Sequence, residues 1–383
     1  MFKFVISSDE LKNVLDVASS VIMPKNTLPI LSDVLITKQG DDFFAVGSSS
    51  ENELTVPFVS LQVTKGDFEA FCISPDISKV LGTLGTQPLT VTIDNHNAKV
   101  EYENGAFDVP VEGSEDYPRM QTIKVDGRLV AFDADTVDLF PTINKASSCA
   151  VKGDTIRPVM SAVLIDATND GYVIVATDGH KLYKRSTLPG VPFLKAGSPM
   201  QLLLPQSAIR PLVNAFGCFE TVQIEADNRA VHFFNGGTSM YITTIEGKYP
   251  NYNVVFPQRQ DYHVVVDVKM LVSALKRIVM FSSTQTSLIC LKCEKDGELS
   301  LFSQDLDFAR SSKETLQCVE CTLPVGFQIG LKGVDFISML SLTTTDNVRL
   351  MMSDPSRAIT MKEEDPKSSL SLLQMPLLLA ENA

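Results

Sequence analysis

An α+β fold, built three times in one chain, is what this sequence predicts, and three observations carry the prediction. A strand-like run leading into an amphipathic helix occurs near residues 1, 130 and 264. A β-rich hairpin, a second helix and another hairpin follow it in the same order each time, about 130 residues apart. Two of the three stretches close on a Tyr-Pro ending, EGSEDYP (Glu112 to Pro118) and EGKYP (Glu246 to Pro250). A period this long means repeated whole domains rather than a solenoid of small units. We place the domains at 1–123, 124–256 and 257–383.

The elements follow in chain order. FVISSDELKNVLDVA, LVAFDADTVDLFPTI and VVVDVKMLVSALKRI each join an apolar run to an Asp or Ser suited to N-capping. Leu11, Val14, Leu15 and Ala18 form a helical stripe, as do Leu271, Ala274, Leu275 and Ile278. Pro141 falls inside the middle helix and is expected to kink or shorten it. Next come LSDVLITKQGDDFFAVGSS, MSAVLIDATNDGYVIVATDG and LICLKCEKDGELSLFSQD, two β-rich runs around a Gly-containing turn, in which Val46, Val175 and Phe302 are equivalent. The second helices read Ile77, Val80, Leu81, Leu84; Ile209, Leu212, Val213, Phe216; and Phe336, Met339, Leu340. VTIDNHNAKVEY, VQIEADNRAVHF and VRLMMSDPSRAITM close the repeats, with Val91, Val222 and Val348 equivalent. Each domain thus carries two helices and about eight strands, as two βαβββ halves with helices on one face of antiparallel sheet.

The 383 residues are 44% apolar and 21% charged, which excludes global disorder and leaves room for several cores. No run of about 18 apolar residues occurs and no signal peptide is visible. Seven cysteines, an odd number in a long chain, favour a reducing cytoplasm. The net charge of −13 argues against non-specific coating of nucleic acid or anionic membrane. The helix stretches nevertheless hold ten bases and nine acids, so they sum to +1 and the remainder to −14.

TLPIL (Thr27 to Leu31), ATDGHKL (Ala176 to Leu182), GKYPNY (Gly247 to Tyr252) and MPL (Met375 to Leu377), set in this threefold repeat, closely resemble the bacterial DNA polymerase III β subunit family, the sliding clamps. The resemblance covers essentially the whole chain, and ATDGH together with YPxY is its specific part. It implies a non-enzymatic protein: a head-to-tail homodimeric ring, helices lining the hole and sheets outside, that tethers polymerase to duplex DNA without sequence preference. No cofactor or metal is implied. Topological retention needs only weak, sequence-blind phosphate contacts, which suits a basic lining inside an acidic shell. The resemblance points to Lys25, Lys79, Lys145, Arg157, Arg210, Lys269, Lys276, Arg277 and Lys332 as DNA-facing, with Lys25 and Arg157 foremost. Read without it, these are solvated helix faces.

Clamps of this family bind the replicative polymerase subunit, the clamp loader, repair polymerases and mismatch-repair proteins through short peptides. Carried over residue by residue, the pocket comprises Met160, Thr177, Gly179, His180, Lys181, Leu182, Pro250, Val254, Val255, Leu373, Met375 and Pro376. That is an apolar slot for Leu or Phe anchors with a few polar groups setting register. Gly179 is expected to let backbone approach closely and Met375 to act as a flexible apolar gate. The alternative reading makes Leu373, Met375 and Leu377 ordinary strand alternation. Val254 replaces a basic residue frequent in the family, Asp335 an aromatic one, and LLAENA prolongs the tail; each bears on peptide preference. By the same resemblance Phe107 and Val109 meet Met280 and Phe281 across the dimer, unless all four are intradomain core.

Two other signals compete. Cys290-x-x-Cys293 and Cys318-x-x-Cys321 have the spacing of a four-cysteine zinc site. LICLKCEKDGEL reads as a strand and turn in which Cys290 and Cys293 face opposite sides, no Gly follows either pair, and the reading adopted is no zinc. Asp178 and His180 suggest a hydrolase dyad, but no nucleophile motif or phosphate loop accompanies them. A three-domain scaffold that never encircles DNA is the remaining binding alternative.

Overall fold

The computed structural model describes residues 1–26, 28–94, 96–120, 130–153, 156–187, 194–305 and 307–379. Thr27, the boundary between 123 and 124, and the AENA end of the tail lie outside them. Six α-helices are present among these residues: α1 (Ser8–Ser19), α2 (Ile77–Leu81), α3 (Thr136–Ser147), α4 (Gln206–Phe216), α5 (Val268–Val279) and α6 (Gly333–Leu340). Their stripes explain them. Leu11, Val14, Leu15 and Ala18 of α1 are buried, as are Leu271, Ala274, Leu275 and Ile278 of α5.

Several expectations needed correction. Pro141 does not shorten α3, which has 12 residues like α1 and α5; Pro141 itself is exposed. Helix α2 ends at Leu81, short of Leu84, and Val80 is 44% exposed, so only Ile77 and Leu81 anchor it. Asp267 caps α5, accepting from the Met270 N–H at 2.7 Å, whereas Ser7 makes no side-chain cap on α1.

The repeat is plainest in the strands. Each third of the chain runs β-α-β-β-β, then a short strand, then β-α-β-β-β, so nine strands are described per repeat instead of about eight. The short strand always pairs antiparallel with the first: Gln62–Lys65 on Phe2–Ser7, Leu194–Gly197 on Val130–Asp135, Glu320–Cys321 on Tyr262–Asp267. The other edge of each first strand takes the late hairpin, with Ile6 opposite Leu89, Ala134 opposite Val222 and Val266 opposite Val348. Leu89, not Val91, is therefore the counterpart of Val222 and Val348; a slip of two residues keeps the same face, so the apolar pattern alone could not detect it.

The chain packs into two compact units, Met1–Asn144 with Pro192–Glu246, and Lys145–Val191 with Gly247–Ala383. The middle repeat is divided between them. The first unit carries one 14-stranded sheet. There the last strand of the second repeat, Thr238–Thr243, pairs with Asn52–Pro57 of the first. In the second unit Ser371–Gln374, the last strand of the third repeat, pairs with Lys181–Ser186 of the second. A four-stranded sheet, Arg310–Gln317, Glu298–Asp305, Leu288–Lys292 and Gln328–Lys332 in spatial order, completes that unit. Both Tyr-Pro endings bury their tyrosine, and Tyr117 donates to the Val46 carbonyl at 3.1 Å.

Candidate functional site

The second unit holds the site, built on the turn between strands Gly171–Thr177 and Lys181–Ser186. Thr177 Oγ1 donates to the Lys181 carbonyl at 2.7 Å and accepts from the Gly179 N–H at 3.0 Å. Asp178 Oδ1 accepts from the N–H groups of His180 and Lys181, both at 2.8 Å. Gly179 sits at φ +90°, closed to most side chains, while a Cβ there would meet only the Arg157 guanidinium, in ordinary contact at 3.8 Å. Backbone conformation, rather than the close approach expected, is why glycine stands there. The ATDGH run is thus a self-bracing turn.

That turn holds the chain end. The Met375 N–H donates to the His180 carbonyl at 2.8 Å, next to the pairs Lys181–Gln374 and Leu182–Leu373. A cavity of about 120 Å³ opens beside it, lined by Met160, Thr177, Gly179, His180, Lys181, Leu182, Pro250, Asn251, Tyr252, Val255, Leu373 and Met375. Ten of the twelve residues named from the sequence line it. Pro376 does not, and Val254, 73% exposed, lines an adjoining groove with Val255, Phe256, Tyr262, Phe327 and Met375. Asn251 and Tyr252 were missed, although the YPxY signature contains them. Tyr252 donates to Asp166 Oδ2 at 2.7 Å, and Lys184 stands 5.3 Å from its ring centroid. Burial and the neighbouring Asp166 carboxylate push the Tyr252 phenol well above its ordinary range.

Charge under the pocket is compensated. Lys181 Nζ lies 2.9 Å from Asp178 and 3.3 Å from Asp335, and Lys332 lies 3.2 Å from Asp335. Burial favours neutral Lys181, but the two carboxylates outweigh it and hold the ammonium above its usual range. Both Asp178 oxygens are engaged, one by backbone and one by Lys181, so no Asp178–His180 dyad is assembled.

The basic residues divide. Lys25, Arg210 and Lys276, one in each repeat, are exposed and make no ion pair among the described residues. Lys79 pairs with Asp76, Lys269 with Asp346, Arg277 with Glu314, and Lys332 with Asp335. Lys145 is half-buried and donates to the Leu342 carbonyl at 3.0 Å. Arg157 is exposed at the start of the Pro158–Ser161 turn. Phe107 and Val109 are half-buried against the N-terminal core, while Met280 and Phe281, just past α5, are 75% and 40% exposed.

The thiols of Cys293, Cys318 and Cys321 are mutual neighbours, and burial foremost pushes the Cys318 thiol up to about 12. Cys290 lines a separate cavity with Leu288 and Phe302; the strand ends at Lys292, so Cys293 lies just past it and not on it as expected. No group of three or more His, Cys, Asp or Glu placed to hold a metal occurs among the described residues.

Sequence comparison follows the same lines. The family model for the DNA polymerase III beta subunit N-terminal domain matches residues 2–121, and that for its C-terminal domain residues 253–377. The chain belongs to the DNA polymerase III beta subunit family. Beta sliding clamps of Pseudomonas putida and Caulobacter vibrioides are similar at 23% and 24% identity, over 98% and 82% of this chain and 100% and 83% of theirs. A sliding clamp of Pseudomonas aeruginosa, solved bound to griselimycin, has a TM-score of 0.88 at 21% identity, covering 99% of this chain and 100% of that one. The DNA polymerase III beta chain of Streptococcus pneumoniae reaches 0.89 at 20% identity over the same shares. This is a chain of the sliding-clamp family, with the family's place in the processivity of DNA replication. No helix among the described residues is long and apolar enough to cross a membrane.

Proposed function

We propose that two copies of this chain close head to tail into a ring of six domains, three per chain divided near 123 and 256. The ring encircles duplex DNA in the cytoplasm and tethers the replicative polymerase without catalysing a reaction. Strand pairing carries the reading. The last strand of the second repeat joins Asn52–Pro57 of the first, and that of the third joins Lys181–Ser186 of the second. The same rule asks that the last strand of the first repeat, Gly105–Gly113, join the corresponding strand of a third repeat, Arg310–Gln317. Among the described residues Arg310–Gln317 is paired along one edge only, and so is the stretch 105–110. A second copy supplies both missing partners, and unpaired edges of this kind invite another strand.

The register follows by equivalence. Ser239 faces Thr55 and Ile242 faces Asn52; the corresponding residues are Ala106 with Lys313 and Val109 with Arg310. Facing Cβ atoms in such a pair lie about 4.5–5.5 Å apart. Mild oxidation of a double variant, Ala106→Cys with Lys313→Cys, is expected to give a covalent dimer, or doubly linked rings, while either single variant does not. Absence of the cross-link in a protein that is folded and dimeric refutes this register; a monomer at micromolar concentration refutes the ring.

Within the ring, Lys25, Arg210 and Lys276 are the bases we assign to DNA, because each is exposed and uncommitted. Contacts so few suit sliding rather than tight binding. The cavity beside Met375 takes the apolar anchors of partner peptides from polymerases, the clamp loader and mismatch-repair proteins. Its support is the convergence of apolar walls with a backbone-braced polar turn.

A further inference from the structure

We infer that Cys321 is the pivot of an oxidisable thiol site: peroxide joins it to Cys293 or Cys318 in one intramolecular disulfide, leaving the third cysteine of the trio reduced. All three are thiols in the structure, Cys318 and Cys321 half-buried and Cys293 buried. The Cys321 thiol is within hydrogen-bonding reach of both others, whereas Cys318 and Cys293 interact only at longer range. Backbone bonds fix all three segments. The Cys293 N–H donates to the Phe327 carbonyl at 3.0 Å, and the Cys293 carbonyl accepts from the Gly326 N–H at 2.8 Å. The Cys293 thiol donates to the Leu323 carbonyl, two residues past Cys321, at 3.5 Å. The Cys318 N–H donates to the Gly297 carbonyl at 3.0 Å, and Cys321 pairs with Val264 across the sheet. A disulfide forms readily only where two thiols meet without moving the backbone, and Cys321 alone of the three meets both others.

The co-reactant is a peroxide. A thiolate of the trio attacks a peroxide oxygen, the O–O bond breaks, and a sulfenic acid and water result. The neighbouring thiol sulfur then attacks the sulfenic sulfur, the S–O bond breaks, and a second water leaves. Two thiols are oxidised and one hydrogen peroxide is reduced to two waters. Burial sets both pace and durability. It pushes the Cys318 thiol up to about 12 and raises Cys293 as well, so few of their thiolates exist at neutral pH and oxidation is slow. For the same reason Cys318 is a poor leaving group, and a bond made to it resists thiol exchange. The site therefore accumulates oxidation under sustained peroxide and does not switch rapidly.

The test treats the full-length protein with hydrogen peroxide, blocks the remaining thiols, and maps disulfides by mass spectrometry without reduction. In the wild type one intramolecular disulfide per chain is expected, and it contains Cys321. Cys293→Ala and Cys318→Ser are each expected to keep a Cys321 disulfide with the partner that remains, whereas Cys321→Ser loses it. A wild-type disulfide that excludes Cys321 overturns the inference, and so does a trio left reduced while the exposed Cys218 is oxidised. A folded Cys321→Ser that links Cys293 to Cys318 as fast as the wild type forms its own bond also overturns it. Circular dichroism separates loss of fold from loss of the site, and the wild-type map decides the matter even where a variant fails to fold.

Discussion

His232 shows how a single side chain can set a pH limit. Its ring stacks on Tyr241 at 4.0 Å and on Phe234 at 4.6 Å, and its Nε2 is buried without a hydrogen-bond partner. Burial pushes its pKa from 6.5 down to about 4, against a small opposing pull from Glu225. The unfolded chain then binds a proton more readily than the folded one, so stability rises with pH across this window. The contribution is complete above about pH 6.5 and is lost as pH falls towards 4. Thermal melts of the wild type should decline through that interval, and His232→Phe should flatten the decline. An equally steep fall in the variant would assign it to carboxylates instead. The Asp178 carboxylate also lies below its usual range, its bonds to Lys181 and the turn backbone outweighing burial, so the turn keeps its charge through the same interval.

Packing of helix on sheet leaves little tolerance at Gly47. A Cβ there would stand 1.8 Å from the Ala18 carbonyl oxygen, inside the contact between strand Asp42–Ser48 and α1. Gly47→Ala must displace the helix, and overpacking of this kind costs about 1–3 kcal/mol. Urea unfolding should show the loss as a lower midpoint at unchanged slope. The chain end gives a second prediction at this scale. Met375 is pinned to His180, and Leu377 donates to the Gly330 carbonyl at 2.8 Å. Deleting the chain from Met375 onward removes the gate and should weaken an anchor peptide about ten- to a hundredfold, the effect of unburying one apolar side chain worth roughly 1.5–3 kcal/mol. Sedimentation should still show the dimer, because the proposed interface uses Ala106 to Val109 and Arg310 to Lys313 instead. Unchanged peptide affinity would dismiss Met375 as a gate.

For the whole molecule, a net charge of −13 argues against tight non-specific binding to a polyanion, and the proposed ring would make retention on DNA topological. Protein loaded on nicked circular DNA should stay bound through gel filtration and leave when the circle is linearised. Replacing Lys25, Arg210 and Lys276 together by Ala should lower loading and flatten its dependence on salt, while the dimer persists. Equal retention on linear and circular templates at moderate salt would contradict a ring.

The threefold architecture was legible in the chain because apolar periodicity, turn residues and the Tyr-Pro endings are local signals, and each recurs about every 130 residues. Most of the cavity lining was legible only through the family resemblance, which named ten of its twelve residues; the local part is the ATDGH turn, braced by Thr177 and Asp178. Other features depend on which distant segments meet. No pattern in the sequence couples Lys181 to Asp335, 154 residues away, or joins three of the four cysteines while Cys290 faces elsewhere. The two-residue slip between Val91 and Leu89 belongs here too, because strand periodicity repeats every two residues and only the hydrogen-bonded register separates the choices. Which bases stay uncommitted, Lys25, Arg210 and Lys276 rather than Lys145 or Arg277, was likewise decided by long-range neighbours such as Leu342 and Glu314. Local propensity and periodicity write the elements into the sequence; the partner of a buried charge is settled only when remote parts of the chain pack together.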